Sequence, residues 1–135
     1  NAAFGEIAQS LIETTEVDNS VYSTGFSFNP NACENTFDKV FLLSYREATD
    51  SAYGFASESS KDTARRMTVS DYARSTGTDI NRISDYFGCG YWRLRSPFNG
   101  SSIHAKTIGS DGRVIYGNYV YDGSDGVVPA LNITL

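Results

Sequence analysis

CGYWRLRSPF, residues 89–98, is the stretch that decides the fold, because its pattern is that of a central β-strand ending near Pro97. Successive side chains of a strand point to opposite faces of a sheet. One face carries the residues that we assign to the core: Trp92, Leu94 and Ser96. The opposite face carries one aromatic residue and two cations: Tyr91, Arg93 and Arg95.

The face that carries Tyr91, Arg93 and Arg95 has three interpretations. It is a solvated sheet surface, a place where an arginine is anchored by a buried carboxylate, or a binding surface. Arginine beside aromatic residues is common at recognition sites. A structural arginine stacked on Tyr91 is equally common, so the sequence leaves these interpretations open.

Four segments after Gly90 predict strands separated by turns. They are residues 91–96, 103–108, 113–121 and 127–135. The turns GSDG and DGSDG, residues 109–112 and 122–126, supply residues that tolerate positive φ. One face of the last segment is predicted to consist of Val127, Pro129, Leu131, Ile133 and Leu135. Because Pro129 has no N–H to donate, this strand is expected at a sheet edge or with a bulge.

The first half of the chain predicts a helix, a long loop and a buried strand. Residues 3–13 place apolar side chains at helical spacing, which favours an amphipathic helix. Its apolar face would consist of Phe4, Ile7, Ala8, Leu11 and Ile12. Residues 14–36 show no sustained period and predict a surface loop. DKVFLLS, residues 38–44, is an apolar run bounded by polar residues, which fits a buried strand.

Capping signals predict two further helices. Ser44–Glu47 has the S-x-x-E pattern of a capping box and predicts a helix to about Ser51. Thr68 or Ser70 caps a second helix, and Gly77 ends it. Helices in the first half and antiparallel strands in the second half predict an α+β fold.

Length and composition predict a single domain over residues 1–135. Hydrophobic residues make up 40% of the chain and aromatic residues 13%, which suits a globular protein. A chain of this size can bury a hydrophobic core without metals or disulfides. The core is predicted to include Val40, Leu42, Trp92, Leu94, Val114, Val120 and Leu131.

The charge and the hydropathy exclude two classes of partner. The formal net charge is −5, which disfavours attraction to nucleic acid phosphates. No stretch approaches the roughly 18 continuous apolar residues of a membrane span. The chain contains few lysines and many Ser, Thr, Asn and Tyr residues, a composition that suits a secreted domain.

The sequence does not decide whether its two cysteines are reduced or oxidised. Cys33 and Cys89 are far apart in the sequence, and His104 is the single histidine, so two thiols alone cannot make a structural zinc site. They are either free thiols or one disulfide of an exported protein.

Four motifs, in this order along the chain, resemble those of an uncharacterised bacterial domain family. They are NAAFGEIAQSLI at the start, then DKVFLLS, YWRLRSP and GVVPAL. Members of that family occur mostly in exported proteins and lipoproteins of gut Firmicutes and in some phage-associated proteins. Their domains resemble the C-type-lectin-like fold of the formylglycine-generating-enzyme group and of retroelement-diversified receptors. The resemblance implies a C-type-lectin-like fold and an extracellular or cell-surface location.

The sequence departs from the family pattern in three ways. Arg93 stands where the family usually has an aromatic residue, and Val128 stands where it usually has arginine. We therefore expect a salt bridge or aromatic stack that is typical of the family to be rearranged in this chain, with Arg93 forming the replacement interaction. Family members also carry strands ahead of the first helix, so the chain is expected to be the C-terminal part of a larger domain or protein. A sheet without those strands has an open edge, which favours self-association or pairing with the N-terminal segment.

No residue set assigns a catalytic group or a metal ligand. Cys89 and His104 could pair as nucleophile and base, but a lone histidine on a strand is more often a packing residue. Asp111, Asp122 and Asp125 lie on neighbouring turns, which keeps calcium as an alternative, although their spacing does not fit an EF-hand loop. No cofactor is therefore predicted.

The strongest functional signal is the set of tyrosines near the arginines. A tyrosine offers a flat ring with a hydroxyl, as sugar- and protein-binding sites use. We therefore expect a non-catalytic extracellular binding module for a glycan or protein ligand. Its predicted site is Tyr91, Arg93, Arg95, Tyr116, Asn118 and Tyr119. The alternatives are a structural or assembly module of a bacterial surface protein and a cell-envelope enzyme.

Overall fold

A computed structural model describes residues 4–57 and 59–134, except for the Ser84 side chain. This part of the chain forms three short α-helices, mostly in the first half, and small antiparallel sheets, which confirms the α+β fold. The helices are α1 (Glu6–Leu11), α2 (Tyr45–Ala48) and α3 (Asp71–Ser75). The strands are β1 (Thr15–Val17), β2 (Thr36–Asp38), β3 (Phe41–Leu42), β4 (Trp92–Pro97), β5 (His104–Ile108), β6 (Val114–Tyr119) and β7 (Pro129–Ala130). Ala3 and Leu135, which the sequence assigned to the first helix and the last strand, lie outside the described residues.

The central sheet has the strand order β4-β5-β6, so three of the predicted strands are confirmed with small shifts of their ends. Trp92 pairs with Ile108, and Ile108 pairs with Val114. Burial alternates along β4, with Trp92, Leu94 and Ser96 buried and the residues between them partly exposed. CGYWRLRSPF is therefore a strand with one core face, as its period of two predicts.

The core packs on the Trp92 face of this sheet. Trp92, Leu94 and Val114 are buried as predicted, and two residues that were not predicted, Ile108 and Ala48, join them. Leu42 and Leu131 are only partly buried.

Two predicted core residues, Val40 and Val120, are half exposed. The prediction was wrong for both because Val40 lies in the bend between β2 and β3, and Val120 lies in the turn after β6. Neither position continues the alternation of a strand.

The run DKVFLLS does not form one buried strand. A bend after Asp38 divides it between β2, which pairs with β1, and β3, which pairs with β7. The run ends at Ser44 because this residue already caps α2. The long loop predicted over residues 14–36 likewise contains β1, so that prediction was also wrong.

The first helix and the last strand are both shorter than predicted. α1 has six residues and none is buried, with Ile7 81% exposed, so its apolar face does not pack on the core. The chain after α1 instead pairs with the C-terminal segment, through a bridge between Ile12 and Ile133. β7 itself is limited to Pro129–Ala130, at the edge that its proline predicts.

The predicted caps of α2 and α3 are present. Ser44 and Glu47 form the reciprocal hydrogen bonds of a capping box at α2. Ser70 caps α3 by accepting from Ala73 N, and Gly77 follows the helix with φ +110°. Within residues 4–57 and 59–134, we find no helical segment with the length and hydropathy of a membrane span.

One fully buried cation, Arg65, joins the loops to the core. Its guanidinium donates to the carbonyl oxygens of Gly112 (2.8 Å), Ala48 (3.0 Å), Ala56 (2.9 Å) and Ser60 (2.5 Å). Trp92 Nε1 donates to the backbone carbonyl of Arg65 at 2.9 Å. The side chain of Arg65 therefore holds segments 48–60 and 112 together, while its backbone positions the central tryptophan.

Candidate functional site

Arg93 is anchored by a buried carboxylate. Its Nη2 lies 2.7 Å from Asp125 Oδ2, and the Asp125 side chain is 2% exposed. The same guanidinium donates to the carbonyl oxygens of Asn118 and Asp122. Burial raises the pKa of Asp125, while the charge of Arg93 and a hydrogen bond from Asn118 oppose that rise. Of the three sequence interpretations, this geometry corresponds to the anchored arginine.

Arg95 lies in a different environment from Arg93. It forms a bidentate pair with Glu47 and donates to the carbonyl oxygens of Leu42 (2.6 Å) and Asp18 (3.1 Å). Burial opposes ionisation of Glu47, but hydrogen bonds from Arg95 and Ser44 hold its pKa below the ordinary value. Arg95 therefore attaches α2 to the central sheet.

A polar cavity of about 340 Å³ lies beside the Arg93–Asp125 pair. Many of the residues that line it carry carboxylate, amide or hydroxyl groups. These belong to Asp79, Asn81, Ser110, Asn118, Asp122 and Asp125. Tyr91, which is 43% exposed, also lines it. We call this space the polar cavity.

Hydrogen bonds fix several groups of the polar cavity. Asn118 Nδ2 donates to both carboxylate oxygens of Asp125, at 3.1 and 2.9 Å. Asn81 Nδ2 donates to Ser110 Oγ at 2.7 Å. Side chains that are held in this way lose little further entropy when a ligand binds.

Two further acids of the polar cavity differ in their contacts. Asp122 accepts from the backbone N–H and the hydroxyl of Ser124, and these bonds lower its pKa. Asp79 is held by its backbone N–H, which donates to Ser124 O at 3.1 Å. Across residues 4–57 and 59–134, no hydrogen bond or ion pair engages the carboxylate of Asp79. Asp79 thus has a carboxylate available to a ligand.

The predicted site residues divide among several places. Tyr91 and Asn118 line the polar cavity, and Arg93 supports it through Asp125. Arg95 is bound to Glu47, so the structure does not bring it to this cavity.

Tyr116 and Tyr119 also lie away from the polar cavity. Tyr119 stacks against Tyr121 with ring centroids 5.0 Å apart and contacts His104 at 4.4 Å. Tyr116 faces the amine of Lys106. The six predicted residues are therefore not one continuous surface.

The two cysteines and the turn aspartates lie at several separate places in the structure. Cys33 and Cys89 are free thiols, with Cys89 at the polar cavity and Cys33 at another surface depression. Within the described ranges, no group of three His, Cys, Asp or Glu side chains could hold a metal ion. Asp111 faces Lys61 and Arg113, at 3.7 and 3.8 Å, and is not among the residues of the polar cavity.

Lys106 is a buried cation that the sequence analysis missed. It is 1% exposed, and its Nζ donates to Thr24 O at 2.6 Å. Three aromatic rings surround the amine: Tyr45 at 3.6 Å, Phe26 at 4.2 Å and Tyr116 at 5.1 Å from the ring centroids. Within the described part of the chain, no carboxylate pairs with it. Burial, with a smaller effect of Arg46, lowers the pKa of Lys106 to about 8.

This lowered pKa predicts that the fold becomes more stable as the pH rises. Between about pH 7 and pH 9 the folded chain releases the proton of Lys106 while the unfolded chain keeps it, so the unfolded state binds more protons. We expect the unfolding free energy of the wild type to rise by about 1 kcal/mol over this interval, relative to Lys106→Met. Urea denaturation of both proteins at a series of pH values measures this difference. If the unfolding free energies of the two proteins changed in parallel with pH, the lowered pKa of Lys106 would be contradicted.

Comparison with known proteins identifies a family but no function. A family model described as a domain of unknown function, DUF6273, matches residues 2–135. No curated protein and no solved structure matches the chain.

Proposed function

We propose that this chain, which belongs to the DUF6273 family of unknown function, is a non-catalytic module that binds a neutral glycan in the polar cavity. The observation that carries the proposal is the composition of the cavity wall, in which carboxylate, amide and hydroxyl groups surround a space of about 340 Å³. Such groups donate to and accept from sugar hydroxyls. Tyr91 adds an aromatic ring with a hydroxyl.

The size and the charge of the polar cavity restrict the class of ligand that it can bind. Its volume lies at the lower end of the range of small-molecule sites, about 300–1,000 Å³. Asp79, Asp122 and Asp125 line it, and Arg93 offsets one of the three acids. The excess of negative charge disfavours anionic sugars, so we propose the neutral end of a glycan as the ligand.

The family resemblance bears on the location and the fold of this module. It suggests an exported or cell-surface protein and a C-type-lectin-like arrangement of the α+β fold, and we propose both on that ground. The protein-ligand alternative has no comparable support, because the polar cavity is concave and small.

We expect Asp79→Asn to weaken glycan binding about tenfold or more without changing the fold. The carboxylate makes no hydrogen bond or ion pair within the described residues, so its replacement by an amide should not destabilise the chain. A hydrogen bond to a charged group contributes about 1.5–3 kcal/mol. The first measurement is a thermal melt against methyl glycosides and short neutral oligosaccharides, since a ligand at a hundred times its Kd stabilises by about 2.7 kcal/mol.

The matched control for Asp79→Asn is Glu34→Gln. Glu34 is an exposed acid that lines a different surface depression, so this variant removes the same charge away from the polar cavity. It should bind like the wild type. Absence of a melting shift with every neutral glycan would refute the proposed function, and equal affinity of Asp79→Asn and Glu34→Gln would refute the proposed site.

A second candidate function is assembly with other chains, and the exposed face of α1 favours it. Phe4, Ile7 and Leu11 are 41%, 81% and 40% exposed, and an apolar patch of this kind is typical of interaction surfaces. Sedimentation of the ligand-free chain over a concentration series separates this candidate from a monomeric glycan-binding module.

A further inference from the structure

An apolar groove of about 260 Å³ lies next to the polar cavity. Its apolar wall includes Val69, Ala73, Val127 and Pro129. Gly90 and Tyr91 line both the groove and the polar cavity. The two spaces therefore share a wall, and they differ in chemical character.

Backbone hydrogen bonds hold the shared wall in place. Gly126 N donates to Tyr91 O at 2.7 Å, and Arg93 N donates to Gly126 O at 3.0 Å. Gly90 N donates to Met67 O at 3.1 Å. The wall is thus bound to its neighbours on both sides of Tyr91.

Gly90 keeps the wall thin. A Cβ atom at this position would lie 2.4 Å from Val69 Cγ2 and 2.9 Å from Asp79 O. Any larger residue would push apart one side of the groove and one side of the cavity. The absence of a side chain at Gly90 therefore lets the two spaces adjoin directly.

We infer that the ligand is a neutral sugar that carries an apolar substituent, and this inference rests on the proposed function. The sugar ring lies in the polar cavity, and the substituent crosses Tyr91 into the apolar groove. The polar cavity satisfies hydroxyl groups, whereas the groove gains from burial of apolar surface. Tyr91 suits the crossing point, because a tyrosine ring packs against apolar atoms while its hydroxyl can form hydrogen bonds.

The test compares phenyl and methyl glycosides of the same sugars by isothermal titration calorimetry. Glucose, galactose, mannose and N-acetylglucosamine supply the four sugar rings, so each pair differs in the substituent alone. We expect the phenyl glycoside of the preferred sugar to bind about tenfold more tightly than its methyl glycoside, because the phenyl group buries additional apolar surface.

Two matched variants test whether the tighter binding of the phenyl glycoside arises in the apolar groove. Val127→Asn makes the groove polar, and Val127 is 69% exposed, so the fold should tolerate the change. Val120→Asn is the same substitution at a valine that is 54% exposed and lines neither space. The phenyl preference should disappear in Val127→Asn and persist in Val120→Asn.

The outcomes separate the two proposals. Equal binding of phenyl and methyl glycosides, or a phenyl preference that survives in Val127→Asn, would overturn the inference about the substituent and leave the proposed function standing. If no methyl or phenyl glycoside binds, the proposed function fails and this inference fails with it.

Discussion

Trp92→Ala should lower the unfolding free energy by about 3–5 kcal/mol, the range for removing a large aromatic side chain from a core. Trp92 is 2% exposed and packs with Leu94, Ile108 and Val114. Its Nε1 also donates to Arg65 O. The alanine variant would leave a cavity and would remove the donor from a buried carbonyl. Urea and thermal denaturation measure the loss.

Two control variants separate the contributions to this loss. Trp92→Phe keeps an aromatic ring and removes the hydrogen bond to Arg65 O, so its effect should be intermediate. Tyr91→Ala removes the neighbouring aromatic side chain from the opposite face, where it is 43% exposed, and should cost less than about 1 kcal/mol. If Trp92→Ala melted like the wild type, the core would not be where the structure places it.

Arg65→Met should lower the unfolding free energy by at least about 3 kcal/mol, because it removes every hydrogen-bond donor of the guanidinium. The variant keeps much of the side-chain volume, so the loss reports mainly on the hydrogen bonds. Within residues 4–57 and 59–134, this guanidinium donates to the carbonyl oxygens of Gly112, Ala48, Ala56 and Ser60, and the side chain is fully buried. A protein domain is typically stable by about 5–15 kcal/mol, so such a loss would remove more than half of the stability of a domain at the lower end of this range. Denaturation monitored by tryptophan fluorescence reports it through Trp92.

The matched control for Arg65→Met is Arg66→Met. Among the described residues, the Arg66 side chain makes one long hydrogen bond, 3.5 Å to Asp111 O, and its guanidinium lies 4.9 Å from the centroid of the Tyr86 ring. Its replacement should cost about 1 kcal/mol or less. Arg65→Lys should remain strongly destabilising, since one ammonium cannot reproduce the forked geometry of a guanidinium. Similar losses at positions 65 and 66 would contradict the role that we assign to Arg65.

Trp92 and Arg65 show which features of the fold can be predicted from the sequence and which cannot. Trp92 was assigned to the core correctly because the period of a strand is local, so Leu94 and Ser96 identify its face. Arg65 and Arg66 are adjacent and chemically identical, and nothing local distinguishes them. Only the tertiary structure brings the carbonyl of Gly112 to one of them.

The same distinction applies to the candidate site. Tyr91 and Asn118 lie on or beside strands, and sequence reasoning selected both. Asp79 and Asn81 lie in a segment without regular structure, where no period indicates which residues face a cavity. The turn DGSDG was considered, but Asp125 resembles an ordinary turn residue until Arg93 is seen next to it. Lys106 was missed because a lysine on a strand is usually exposed.

The bonds that attach the first half of the chain to the central sheet also set the order of events during synthesis. Glu47 binds Arg95 across 48 residues, and Thr24 binds Lys106 across 82. A ribosome adds about 5–20 residues per second, so α2 is synthesised several seconds before β4 and β5 are complete. During that interval the segment can form its capping box but cannot dock, and it remains open to chaperones and proteases. The described fold is therefore expected to form only once β5 has emerged.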